Sequence, residues 1–253
     1  MSFIFPQWPA HESVRALVST RSGGVSNAPF DSLNLGDHVG DSIENVQANR
    51  ALFSSNLPSE PLWLRQTHGT VVSTPQSRKS IQEQVINADA AVTNLPGEVL
   101  VVMTADCLPV LFANSSGTAV GVAHAGWRGL CAGILENTVA ELRTISDDES
   151  VNNLMAWLGP AIGPEKFEVG QDVVDAFKDV GLPLPKNAFE EIPNKKGKYL
   201  ADIYQLARGR LEACGVKTIF GGEFCTVKDS ARFFSYRRDG ETGRFATAIW
   251  ISR

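Results

Sequence analysis

A thiol and an imidazole close two apolar runs that a short polar turn connects. LVVMTADC ends in Asp106 and Cys107, TAVGVAH ends in His124, and NSSG at 114–117 separates the apolar residues between them. Asn, Ser and Gly between apolar runs form hairpin turns, because their side chains bond nearby backbone and Gly tolerates the required φ values. If Ala113 faces Thr118, the register sets Cys107 opposite His124, with Cβ atoms about 5 Å apart. Pro109 then falls opposite Val122; it donates no ladder hydrogen bond, so a bulge there could shift the pairing by a residue.

His68 in RQTHGTVV is a third candidate ligand, followed by Gly69, where a backbone or a ligand can approach closely. Two imidazoles and a thiolate with an open fourth position make the pattern of catalytic zinc, whose bound water supplies hydroxide near neutral pH. Cysteine would bind as thiolate and release its proton to solvent. Alone, each residue reads equally well as a strand-end histidine satisfied by carbonyls or as a small buried hydrophobe. Together at one rim, they point to a metal or catalytic site.

Beyond His124 comes AGWRG and then a helical run. The free amides of a first helical turn, with Arg128, could hold an oxyanion there. Arg21 in TRSGGVS offers a similar basic, glycine-rich turn. FFSYRRDGETGRFATAIWI reads as a hairpin around DGETG, with Phe233, Phe234 and Tyr236 available to pack on a flat ring.

The elements that must position these residues are mostly strands. Val-, Ile- and aromatic-rich runs lie at 62–64 with 70–73, then 99–104, 108–113, 118–124, 154–158, 217–220 and 245–251. Helical periodicity marks GLCAGILENTVAELRTI, QDVVDAFKDV and DIYQLARGRLEACG; Asp202 suits the N-cap of the last, and Gly215 the left-handed residue past its end. SRKSIQEQ near 77 and PNKKGK at 193–198 read as irregular. The mix predicts an α+β fold with mixed sheets.

Composition narrows the partners. The chain has 253 residues, 43% hydrophobic and 20% charged, with a formal net charge of -5, which suits a compact domain and repels nucleic acid and anionic membranes. MSFIFPQWPA lacks the basic flank and apolar stretch of a signal peptide, and no run is long enough to span a membrane. Cys107, Cys131, Cys214 and Cys225 form no C-x-x-C pair, so neither a disulfide framework nor a zinc ribbon is expected. These features predict a cytoplasmic protein acting on small molecules.

TRSGGVSNAPFDSLNLGDHVGD, RQTHG, NADAAVTN, TADCLPVLF, GVAHAGWRG, LGPAIGPEKFEVG and FFSYRRDGETGR occur in order from Arg21 to Arg244. Together they resemble the multicopper polyphenol oxidoreductase (laccase-like) family, viewed as purine nucleoside-metabolising enzymes. The resemblance implies a single domain over 1–253 with four-layered α/β/β/α architecture and mixed β-sheets. It implies a zinc site of His68, Cys107 and His124, phosphorolysis of adenosine, inosine and 5′-methylthioadenosine, and deamination of adenosine. Some relatives are instead named peptidoglycan-editing factors.

Several readings remain open beside that one. The H-x-E and P-C-x-x-C signatures of ordinary zinc deaminases are absent, so deamination would need another proton carrier, for which Asp106 is the candidate. Arg21 and Arg128 are the candidates to bind phosphate, and Tyr236 to bind the base. His11, His38, His68 and His124 are too few for four coppers, but one copper on His68, Cys107 and His124 with an axial Met103 is chemically allowed. A metal-free hydrolase with Cys107 as nucleophile and His124 as base fits the same hairpin. A purely structural zinc fits less well, because closed sites take four protein ligands.

Overall fold

The central strands bury side chains on both faces, which requires a covering layer on each. Val110 and Phe112 face one apolar core while Leu111 and Ala113 face another; Leu100 and Val102 face the second while Val101 and Met103 face a third. This period-two alternation is the pleat of a strand buried on both sides. The computed structural model describes residues 1–80, 86–146 and 153–252.

The three cores separate four layers. Helices Ile134–Ile145, Gln171–Asp179 and Ile203–Ala213 pack on one face of a six-stranded sheet. Its other face meets a four-stranded sheet, and helix Ile43–Ser54 covers the far side of that sheet through Phe53. The single-domain α/β/β/α expectation therefore holds.

The six-stranded sheet runs in the order Thr218–Gly221, Leu154–Leu158, Leu108–Asn114, Val120–Ala125, Ala90–Thr93, Val72–Ser73. Its outermost pairs are parallel and the inner ones antiparallel, so it is mixed. The other sheet orders Phe3–Ile4, Val14–Ser19, Phe245–Ile251 and Leu100–Thr104, all antiparallel. Among the described residues, no helix is long and apolar enough to cross a membrane.

The site hairpin closes one residue later than its turn composition predicts. Asn114 stays in the ladder, its amide donating to the Ala119 carbonyl at 3.1 Å. Its side-chain oxygen takes the amides of Thr118 and Ala119 at 2.9 and 3.0 Å. Pro109, not Cys107, therefore lies opposite His124. The partner strand moves by two residues, which preserves the face each side chain uses. No bulge is needed at Pro109: His124 bonds outward through its amide to Asp89 O at 2.7 Å. On its other edge Pro109 accepts from Gly159 N at 2.9 Å, and the Tyr204 hydroxyl reaches the Gly159 carbonyl that proline leaves without a donor.

Two further expectations change. GLCAGILENTVAELRTI forms two helices, Trp127–Ala132 and Ile134–Ile145, split at Gly133 in the left-handed region at φ 103°. FFSYRRDGETGR is not a hairpin: Phe233 and Phe234 are fully buried in the core between the sheets, and Tyr236–Asp239 forms one helical turn capped by Ser235. Neither phenylalanine is available to stack on a ligand. By contrast, Asp202 caps Ile203–Ala213 through the amides of Tyr204 and Gln205, and Gly215 has φ 89°. Residues 193–197 link strands Phe189–Glu191 and Lys198–Ala201. In SRKSIQEQ, Ser77 to Ser80 end helix Pro75–Ser80 and the following four residues lie outside the described ones.

Candidate metal centre

A buried carboxylate organises the site. Asp89, just before strand Ala90–Thr93, is fully buried, and an isolated charge there would be costly. Five donors surround it: the amides of Thr67, His68 and Gly69 at 3.1, 2.9 and 2.8 Å, the Thr67 hydroxyl at 3.0 Å and His124 Nδ1 at 2.8 Å. Burial pushes its pKa up, but the His124 bond and the Gly69 and Thr67 amides outweigh this and bring it to about 2. Asp89 is thus a carboxylate, which places a proton on His124 Nδ1 and turns Nε2 toward a ligand.

The same amide bonds shape the RQTHG loop. Three successive N–H groups converge on one carboxylate, and His68 takes φ 60°, a conformation that most side chains avoid. Gln66 anchors the loop from the other sheet, accepting from Met103 N at 2.7 Å and donating to Met103 O at 2.8 Å. Its amide stands in for a neighbouring strand.

Cys107 is aimed by a second uncommon backbone conformation. Asp106 has φ 94°, and its carboxylate accepts from Thr226 Oγ1 at 2.5 Å and Arg237 N at 2.6 Å. Its carbonyl accepts from Ile162 N at 2.9 Å. These three bonds hold the turn that delivers Cys107 just ahead of strand Leu108–Asn114.

His68, Cys107 and His124 consequently meet, each offering one ligand atom, all within 4.8 Å of one another. The two rings lie edge to face with centroids 4.7 Å apart, and Cys107 Sγ is 3.8 Å from His68 Nε2. His124 is buried while His68 is exposed, so the triangle opens toward solvent on the His68 side. Two nitrogens and one sulfur at this spacing suit a metal with an open position.

Glycines let the three parts close. At Gly126 a Cβ would lie 2.8 Å from His68 Cδ2 and 3.1 Å from Cys107 Sγ; at Gly129 it would lie 2.8 Å from Gly69 O. Gly126→Ala is therefore expected to displace both ligands, lowering metal affinity about 10- to 100-fold with far-UV circular dichroism retained. Metal titration against a competing chelator reads this effect.

Cys107 and His124 shift each other's charge state. Burial pushes the Cys107 thiol up, but the neighbouring imidazoles more than offset it and bring it to about 6. Burial pushes His124 down, yet Cys107 and Asp89 raise it to about 9. Between those values the thiolate is ready to bind, while His124 must first lose a proton. At pH 7.5 metal binding should thus release about one proton, from His124, and affinity should rise with pH toward 9. Calorimetry in buffers of different ionisation enthalpy measures this release.

Beside the triangle lies a cavity of about 320 Å³ lined by His38, Gln66, Met103, Tyr236 and Arg244 among others. Of the residues expected to bind substrate, Tyr236 lines it and is 62% exposed. Arg21 and Arg128 do not line it. Arg21 pairs with Asp31 at 3.3 Å, and Arg128 stacks on Trp127 at 4.4 Å. Asp106 is absent from the lining as well, with both carboxylate oxygens engaged. Met103, the candidate axial copper ligand, lines the cavity with the triangle, and its Sδ lies 4.0 Å from Arg50 Nη2.

Sequence reasoning missed Asp89, Gln66 and Arg244. Asp89 carried a signal, a lone acid leading the apolar run AAV. Gln66 and Arg244 carried none, because their roles depend on contacts across the two sheets.

The family described as multi-copper polyphenol oxidoreductase laccase matches residues 15–252. A protein named purine nucleoside phosphorylase YfiH from Escherichia coli (strain K12) is 52% identical over 250 residues, covering 98% of each chain. A purine nucleoside phosphorylase from Pseudomonas aeruginosa is 51% identical over 251 residues, covering 99% of this chain and 98% of that one. Among solved structures, a Neisseria meningitidis protein superposes with TM-score 0.90 at 46% identity, and YlmD from Geobacillus stearothermophilus with TM-score 0.87 at 31%, each covering 100% of both chains.

Proposed function

This chain belongs to the multi-copper polyphenol oxidoreductase laccase family, and we propose that within it the chain is a zinc-dependent purine nucleoside phosphorylase of the cytoplasm. The observation that carries the reading is an open His68, Cys107, His124 triangle beside a cavity of about 320 Å³, a size at the small end of roughly 300–1,000 Å³ ligand pockets. The names of the half-identical relatives supply the reaction class. Four free thiols fit a reducing compartment.

The expected substrates are adenosine, inosine and 5′-methylthioadenosine. In phosphorolysis a phosphate oxygen bonds to the ribose C1′ as the C1′–N9 bond breaks, and the base leaves with a proton. A bound zinc would supply Lewis acidity to oxygens of phosphate or sugar. Tyr236 on the rim covers the base, and Asp89 holds the His124 ring in place. Asp106 acts by positioning Cys107. Adenosine deamination, in which water replaces the C6 amine and ammonia leaves, is proposed as an accompanying activity; besides the ligands, His38 and Tyr236 are the lining groups able to carry its protons.

Incubating metal-replete protein with adenosine, with and without phosphate, separates the outcomes by chromatography. The phosphorylase reading expects adenine and ribose 1-phosphate only with phosphate. Inosine alone would indicate deamination. No change in nucleoside, with alteration of a peptidoglycan precursor, would overturn the nucleoside assignment.

A second reading has one specific observation behind it. Asp89, His124 and Cys107 form a carboxylate–imidazole–thiol line, the arrangement of a nucleophile, its base and an orienting acid. A metal-free hydrolase of this kind would not require His68. His68→Ala that keeps full activity without metal would establish it in place of the metal enzyme.

A further inference from the structure

Among the described residues, no carboxylate lines the cavity beside the triangle, although the chain as a whole is acidic. Arg244 is the one guanidinium among those lining residues. Other arginines are engaged: Arg21 pairs with Asp31, Arg50 with Asp37 and Arg238 with Asp239, and Arg128 stacks on Trp127. Arg237 donates to the carbonyls of Lys166 and Glu168. Among the described residues, no carboxylate oxygen lies within 4.0 Å of the Arg244 guanidinium.

Arg244 is nonetheless firmly placed. Its amide donates to Asn34 Oδ1 at 2.9 Å and its carbonyl accepts from Leu35 N at 3.0 Å. Nη1 donates to the carbonyls of Thr242 and Gly243 at 2.9 and 3.0 Å. The stem crosses Gly36, where an added Cβ would come within 2.8 Å of Arg244 Cγ. A fixed guanidinium in a partly desolvated cavity, paired with no carboxylate although the Cys107 and Asp106 charges lie within its field, is a strong site for an oxyanion.

We propose that Arg244 binds the phosphate co-substrate, in the place that the sequence pattern suggested for Arg21 and Arg128. This inference rests on the phosphorylase reading for the identity of the anion. It places phosphate in the cavity that Tyr236 and the triangle also line, so that the nucleophilic oxygen and the ribose share one cavity.

The test uses purified metal-bound wild type, Arg244→Gln and Arg244→Lys, with inorganic phosphate as the probe. Isothermal titration calorimetry reads phosphate binding, and initial rates with adenosine read the two KM values. Arg244→Gln should weaken phosphate binding and raise the phosphate KM about 10- to 100-fold, leaving adenosine KM and metal content unchanged. Arg244→Lys should show the same selective effect to a smaller degree, because lysine keeps the charge but loses the fork, and it serves if the glutamine variant does not fold.

Unchanged phosphate affinity in both variants would overturn the assignment, as would equal weakening of phosphate and adenosine, or no phosphate binding by wild type. Wild type that binds phosphate through Arg244 yet releases no base would overturn the phosphorylase reading alone. Wild type that releases base with phosphate, beside variants with unchanged phosphate KM, would overturn the Arg244 assignment alone.

Discussion

Asp89→Asn is expected to lose metal affinity and fold stability together. An asparagine oxygen can serve only part of the five donors that meet the Asp89 carboxylate, and its NH2 group would face an N–H. Breaking a buried, paired charge in this way costs about 3 kcal/mol, which for a domain of this size lowers Tm by roughly 6–12 °C. Loss of the carboxylate behind a metal-binding imidazole costs a further 10- to 100-fold in affinity, to order of magnitude.

The pH dependence gives the same substitution a second signature. Asp89 titrates at about 2 in the folded chain against an ordinary 3.8, so its stabilisation is complete above the unfolded value and is lost as pH falls through the folded one. That window is worth roughly 2 kcal/mol. The stability gap between wild type and Asp89→Asn should therefore narrow between pH 4 and pH 2, as chemical denaturation at stepped pH would show. A constant gap would mean that the carboxylate charge contributes nothing.

Cys107→Ala and His68→Ala are expected to abolish stoichiometric metal binding and to reduce phosphorolysis on the order of a thousandfold, the several kcal/mol that a Lewis-acidic ion supplies. His68 is exposed and Cys107 only half-buried, so both variants should keep near wild-type Tm when metal is absent from each. The pair also separates the two mechanisms. A metal enzyme loses activity with either residue, whereas a thiol hydrolase loses it with Cys107 and retains it without His68. Metal analysis with phosphate-dependent base release on each variant reads the difference.

That Cys107 and His124 come together was legible because a strand's period-two face survives an error in its register. The turn was placed one residue early, since NSSG reads as loop while Asn114 in fact uses its side chain to close the ladder. That moved the pairing by two residues and left His124 and Cys107 on one face. What brings Cys107 inward is instead the left-handed backbone at Asp106, held by Thr226 and Arg237 from remote segments. No local pattern announces such bonds.

Substrate-facing residues were less legible for the same reason. Arg21 and Arg128 look available in the sequence because no acid adjoins either, yet Asp31 and the Trp127 ring engage them in the fold. Arg244 was passed over because its exposure to the cavity arises where residues 34–36 cross the start of the last strand. Strands Val14–Ser19 and Ala90–Thr93 escaped assignment too. The second is short, and the first carries Arg15 within its apolar pattern.

Readdition of metal to chelator-stripped protein, followed by phosphate-dependent release of adenine from adenosine, tests the account most directly. Activity should be absent without metal, rise linearly with added zinc and saturate at about one ion per chain, as a single open three-ligand site requires. Full phosphate-dependent activity in the stripped protein would contradict it.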